Sequence, residues 1–235
     1  MPFTCTGALS IVMIPHLSED LALSNWSAIR ANISRAILLT TTIAFPATAL
    51  LLSLGQPIGV VLYNQPQVGQ FLMPLAYSMV FHSLQHTCGA ILNGLGKQSR
   101  ATFNSLIGGL IQVFCTYFLV AKPQFGIYGF IIGFILRSTI VFLLNFTAVL
   151  QFTKLHIRWI QWFVKPGFAA MVMGSFSRLT FHFFTKQRFP LVFVLVLSFA
   201  IGGVFFLIAL YSVDGIPRPK NKKAPITTLF NRSLK

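Results

Sequence analysis

Apolar residues run in seven long stretches, at 1–17, 35–54, 70–92, 102–121, 126–150, 166–184 and 190–211. Short segments rich in lysine and arginine separate them. About 20 apolar residues carry a helix across the hydrocarbon core of a bilayer. The pattern therefore predicts an all-α, polytopic transmembrane helical bundle of about seven spans. The first run is short and starts at Met1 with no basic segment ahead of it. It reads as a spanning helix whose beginning is missing, not as a cleavable signal peptide. The sixth is the weakest, because Lys165 precedes it and Arg178 interrupts it. Between the first two runs, Ser18 is placed to cap a helix with Glu19 and Asp20 in its first turn. Ala22, Trp26, Ile29 and Ile33 follow at helical spacing, which predicts an interfacial helix over 18–34. Trp159 and Trp162, between Arg158 and Lys165, have the composition of a membrane–water boundary.

Composition sharpens this reading. Hydrophobic residues make up 55% of the 235 and charged residues 9%, against roughly 25% charged in soluble domains. An ordinary soluble enzyme is excluded. The formal net charge is +15, from 18 Lys+Arg against 3 Asp+Glu. Counted over alternate connections, thirteen of the basic residues fall on one side of the membrane, six of them in the tail after residue 211. Lys122, Arg178, Lys186 and Arg188 fall on the other side, and Arg137 falls within a span. The positive-inside rule then predicts an N-terminus outside and a cytoplasmic C-terminus in the plasma membrane. No basic stripe with interleaved aromatics lies outside the apolar runs, so no nucleic-acid partner is expected. The acids Glu19, Asp20 and Asp214 all lie outside the spans. No carboxylate is thus available for an intramembrane cation relay, for paired acid–base chemistry, or for the metal site of a glycosyl or phosphoryl transferase. Neither an enzyme nor a cofactor is expected. Cys5, Cys88 and Cys115 are too few and too widely spaced for a disulfide framework or a zinc motif.

Within the spans, Arg137 stands out. A charge at the centre of a spanning helix costs at least ~2.5 kcal/mol on insertion scales. Its partner has to be backbone carbonyl, water, another chain or an anionic ligand, and a guanidinium pairs with phosphate through two hydrogen bonds. His82, His86, Gly89 and Asn93 share one face of the third run, with Ser78 and Gln85 beside them. The two histidines lack a visible third metal ligand, so this face reads as polar lining of a cavity or as an interhelical seam. Arg137, His82, His86 and Asn93 are the candidate substrate-contacting residues. Asn104, Gly108 and Cys115 form a weaker stripe on the next helix, with Gln112 beside it. Gly129-x-x-x-Gly133 is a small-residue pair suited to close helix packing. Pro46 and Pro74 lie inside spans, where they remove backbone hydrogen bonds.

Several short motifs resemble those of the multidrug/oligosaccharidyl-lipid/polysaccharide flippase superfamily. Ile14-Pro-His-Leu-Ser-Glu19 resembles the exit of one span. Phe45-Pro46, followed by Gly55-Gln-Pro-Ile58, resembles the next helix and turn. Gly89-Ala-Ile-Leu-Asn-Gly-Leu-Gly-Lys97 is similar to a glycine-rich turn of that superfamily and is the most specific of the set. Lys165-Pro-Gly-Phe-Ala-Ala170 and Val213-Asp-Gly-Ile-Pro217 resemble the stage V sporulation protein B-like branch. The resemblance implies half of a two-lobed flippase fold. It divides the chain into five lobe spans at 1–151, two additional spans at 152–211 and a basic tail at 212–235. It implies export or flipping of a lipid-linked saccharide such as a cell-wall precursor, with a missing or separately encoded N-terminal half as partner. Other readings are a cation-coupled drug exporter half, which the absence of intramembrane acids disfavours, and a non-transporting scaffold or truncated remnant.

Overall fold

A computed structural model describes residues 2–122, 124–187 and 189–212, apart from the side chains of 2–6, 8–12 and Pro66. Among the described residues there is no strand. Seven long helices follow one another: α1 (Pro2–Ala22), α2 (Trp26–Tyr63), α3 (Pro66–Gly94), α4 (Gln98–Cys115), α5 (Ile127–Thr153), α6 (Lys165–Lys186) and α7 (Leu191–Ser212). Five-residue π-helical turns extend α4 over Thr116–Val120 and lead into α6 over Ile160–Val164. Four of these helices have both the length and the apolar window to cross a membrane: α2, α4 with its π-turn, α5 and α7. In α1, α3 and α6 the length is present, at 21, 29 and 22 residues, while the composition is more polar.

Helix ends follow local chemistry. Asn25 caps α2, its side-chain oxygen accepting from the Ala28 N–H at 3.2 Å. Asn64 closes the same helix in the left-handed region, where asparagine is tolerated. Proline begins α3, where its missing N–H costs nothing. Helices α2 and α3 are continuous through Pro46 and Pro74.

The interfacial helix expected over 18–34 does not form. Ser18, Glu19 and Asp20 belong to the last turns of α1, and the cap is Asn25, not Ser18. The Ser18 hydroxyl donates instead to the Ile14 and Gly94 carbonyls. Ile29 and Ile33 are fully buried in the core, so their stripe faces protein and not lipid. At 38 residues α2 spans about 57 Å, longer than the hydrocarbon core, and its basic first turns project beyond it.

The helices alternate in direction. Short turns join α1 to α2, α3 to α4 and α5 to α6 at one end of the bundle. Arg30 there donates to the Thr153 carbonyl at 2.9 Å, and the Lys97 ammonium lies 5.1 Å from the Phe152 ring centre. Arg35, Arg100, Lys154, Arg158 and Lys165 occupy the same end, against Lys122, Arg178 and Lys186 towards the other. Arg188, Asp214 and the basic tail lie outside the described residues.

The main core lies where α2, α3 and α5 meet, around Ile33, Ile37, Leu84, Ile91, Phe142 and Val149. A second cluster joins α6 and α7 to α2 through Ala169, Met173, Phe206 and Leu210. Lipid tails are as apolar as leucine, so close packing and interhelical hydrogen bonds hold such a bundle together. Gly59 on α2 meets the backbone of Gly69 on α3; a Cβ at 59 would lie 2.9 Å from the Gly69 Cα.

Candidate functional site

The hairpin of α4 and α5 places the polar residues of the bundle. Its turn contains Gly126 at φ +43°, a conformation glycine adopts without strain. Residues equidistant from the turn's midpoint, between 124 and 125, face each other down the whole hairpin. Gly129 faces Leu119 and Val120, and Gly133 faces Cys115 and Thr116. Arg137 faces Gln112, Gly108 packs on Val141, and Asn104 pairs with Asn145. The Gly129–Gly133 pair thus packs α5 onto α4: a Cβ at 129 would sit 2.8 Å from the Leu119 backbone.

Arg137 is half-buried and donates from Nη1 to Gln112 Oε1 at 2.6 Å. The partner is a neutral side chain on the neighbouring helix α4. His82 on α3 packs against Phe134, one turn before Arg137 on α5. Its ring sits 5.8 Å from that of His86, edge to face, and 5.4 Å from Phe134. His86 is exposed on the helix surface. Beside these residues in the chain, Gln85 Oε1 and Ser138 Oγ are buried and have no hydrogen-bond partner. Unsatisfied polar atoms in an apolar surround are costly, and both would gain from an incoming donor. Among the described residues no third histidine, cysteine or acid joins His82 and His86 in a metal cluster.

The structure therefore brings Arg137, His82 and His86 together and adds Gln112 to them. Asn93 is not part of that group. It lies seven residues beyond His86, about 10 Å along the axis, near the basic end, where Gly94 packs against Leu17. Between the two levels, Asn104 Nδ2 donates to Asn145 Oδ1 at 2.9 Å, both residues 2% exposed. This bond is a structural tie, and replacing Asn145 with leucine is expected to lower stability by about 0.6–1.7 kcal/mol, the range for interhelical bonds in membranes. A double-mutant cycle with Asn104→Leu in a reversible unfolding assay checks it; a coupling indistinguishable from zero would remove the tie.

The arrangement supplies one fixed cation, two imidazoles and an amide at membrane depth, without a nucleophile–base pair or a carboxylate. It suits binding of a polar or anionic group.

The profile of the family described as lipid II flippase MurJ matches residues 5–160, a stretch that runs through α5 and includes His82, His86, Asn93 and Arg137. Sporulation protein YkvU of Bacillus subtilis (strain 168) is 21% identical over 156 residues, covering 66% of this chain and 35% of that protein. Stage V sporulation protein B of the same organism is 22% identical over 176 residues, covering 75% and 34%. The chain spans about a third of the length of these curated relatives. No solved structure matches it. With about two thirds of its length matched by one profile, this multi-pass membrane protein belongs to the lipid II flippase MurJ family.

Proposed function

We propose that the chain is the second-lobe part of a flippase that moves a lipid-linked saccharide, a cell-wall precursor type of substrate, across the plasma membrane. The observation that carries the reading is the Arg137–His82–His86 group, held inside the helices that the flippase family profile matches. Arg137 attracts the phosphate of the lipid-linked head, and the imidazoles and the Gln112 amide exchange hydrogen bonds with the sugar. Asn93 lines the route nearer the basic end. The polyprenyl chain stays in lipid while the head crosses, so no bond is made or broken. Residues 1–151 act as lobe helices, 152–211 as two accessory spans, and 212–235 as a basic cytoplasmic tail. The basic end faces the cytoplasm, as the positive-inside rule directs. Alternating access requires two bundles rocking about a shared midplane site. The first bundle lies outside this sequence, in the same polypeptide or in a separately encoded partner. The names of the two relatives point to a role in sporulation.

Proteoliposomes test this. A fluorescent lipid-linked disaccharide is incorporated with the protein, and an impermeant quencher is added outside. Protein-dependent growth of the quenchable fraction is expected, faster than for a labelled phospholipid and dependent on co-reconstituted partner. If wild-type vesicles, with and without candidate partners, behave as protein-free ones, the flippase reading fails. Immunoblotting of the tagged chromosomal product reports separately on the first bundle: a band of the size of 235 residues would place it in a separate chain, and one about twice as large would place both lobes in one polypeptide.

A further inference from the structure

A second feature lies away from Arg137, between α2, α3 and α6. These helices leave an open cavity of about 680 Å3, within the ~300–1,000 Å3 range of small-molecule sites. Its lining divides along the membrane normal. Gly167 faces Phe45 and Gly174 faces Ala49, so α6 runs parallel to α2 and brings Arg178 level with Ser53. Helix α3 runs the other way, with Thr87 bonded to Thr40 at 2.7 Å and Gly69 against Gly59, which brings Tyr77 to the same level. Ser53, Tyr77, Ser175 and Arg178 thus form a polar mouth towards the end that holds the α2–α3 and α6–α7 connections. Phe45, Phe81, Leu84 and Phe163 form an apolar floor towards the bundle's middle.

Two groups in this cavity lack partners. Arg178 makes no hydrogen bond or ion pair among the described residues, and the described carboxylates, Glu19 and Asp20, sit at the opposite end of the bundle. It lies eight residues before the end of α6, about 12 Å along the axis, within reach of the interface for a side chain that snorkels. Thr48, 7% exposed in the cavity wall, has a buried hydroxyl with no hydrogen-bond partner. Threonines in helices usually satisfy this group on the preceding turn, as Thr41, Thr42, Thr147 and Thr153 do here. Thr48 lies about 7 Å deeper than the Ser53 level.

We infer that this cavity is a binding site for one resident anionic glycerophospholipid of the surrounding bilayer. Its phosphate pairs with the Arg178 guanidinium. An ester carbonyl accepts from the Thr48 hydroxyl, and one acyl chain lies along Phe45 and Phe81. Charge selects the head: a guanidinium without a counter-ion favours a net anion over a zwitterion. The amphipathic division of the lining selects a lipid over a free anion. The site is independent of the Arg137 group and of whether the protein transports anything.

The full chain, purified in detergent, is offered equal amounts of phosphatidylglycerol and phosphatidylcholine with the same acyl chains, and retained lipid is read by native mass spectrometry. The wild type is expected to retain phosphatidylglycerol in preference by about fivefold, the scale of one Lys/Arg contact with an anionic lipid surface. Arg178→Gln brings the ratio close to one. Ser175→Trp fills the mouth from an exposed position, abolishing retention of both lipids with the thermal midpoint unchanged. Glycerol 3-phosphate in excess leaves the bound lipid in place. Equal preference in wild type and Arg178→Gln overturns the site. So does unchanged retention in Ser175→Trp, displacement by glycerol 3-phosphate, which would make it a free-anion site, or displacement by an equimolar lipid-linked disaccharide, which would make it part of a transport route.

Discussion

Replacing Trp162 with alanine is expected to lower stability by about 3–5 kcal/mol, the range for truncating a large buried aromatic. Trp162 is 1% exposed and sits in the π-turn between α5 and α6. Its ring meets Phe146 at 6.4 Å, edge to face, and its indole N–H donates to the Ser34 hydroxyl on α2 at 3.1 Å. It therefore ties the α6 entry to both α2 and α5, and no neighbouring side chain is placed to refill so large a void. Trp162→Phe keeps most of the volume and loses the hydrogen bond, worth about 1 kcal/mol. Trp159, three residues earlier and 57% exposed, is the internal control: Trp159→Ala is expected to cost less than 1 kcal/mol. Unfolding midpoints in mixed micelles give the order. Similar midpoints for the two alanine variants would show that Trp162 does not carry the junction.

The pair also marks what a linear reading resolves. Both tryptophans have the flanks of a membrane boundary, and nothing in Arg158–Lys165 distinguishes them. The π-turn does, because its wider winding turns one ring into the core and leaves the other outside. The apolar runs were sufficient for the existence of all seven helices, since a run long enough to span has few other folds open to it. They were insufficient for the start of α2. Asn25 outcompetes Ser18 as a cap because α1 continues through Ser18, held by its bonds to Ile14 and Gly94. Ile29 and Ile33 look like one apolar stripe whether protein or lipid lies opposite. The site was half legible. Arg137 and the histidines announce themselves as polar groups in apolar runs, and Asn93 shares their helical face without sharing their depth. Gln112 stands in the sequence beside a polar stripe of α4, 25 residues from Arg137, and only the hairpin brings the two together. Its signal was hairpin symmetry: Gln112 and Asn104 are as far before the turn's midpoint, between 124 and 125, as Arg137 and Asn145 are behind it.

Replacing Arg137 with methionine is expected to separate transport from stability. A guanidinium in the spanning region costs at least ~2.5 kcal/mol to insert, and its one bond to Gln112 returns only part of that, since hydrogen bonds between membrane helices contribute about 0.6–1.7 kcal/mol. If the arginine serves only the fold, the Arg137→Met/Gln112→Leu protein loses stability and transports as the wild type does. If it binds an anionic head, the Arg137→Met/Gln112→Leu protein unfolds at or above the wild-type midpoint while transport falls. The expected fall is about 10–100-fold, since a hydrogen bond to a charged group contributes ~1.5–3 kcal/mol and each 1.4 kcal/mol is tenfold. Arg137→Lys retains the charge and loses the two-pronged geometry, so it should recover part of the rate and not all of it. Added salt should slow the wild type little, because a pair formed at membrane depth is poorly screened. Flipping of the labelled disaccharide and unfolding in the same detergent preparation measure both quantities on one sample. A loss of stability in the double variant with transport intact would make Arg137 a structural residue, and the head-group contact would then have to be sought at His82 and His86.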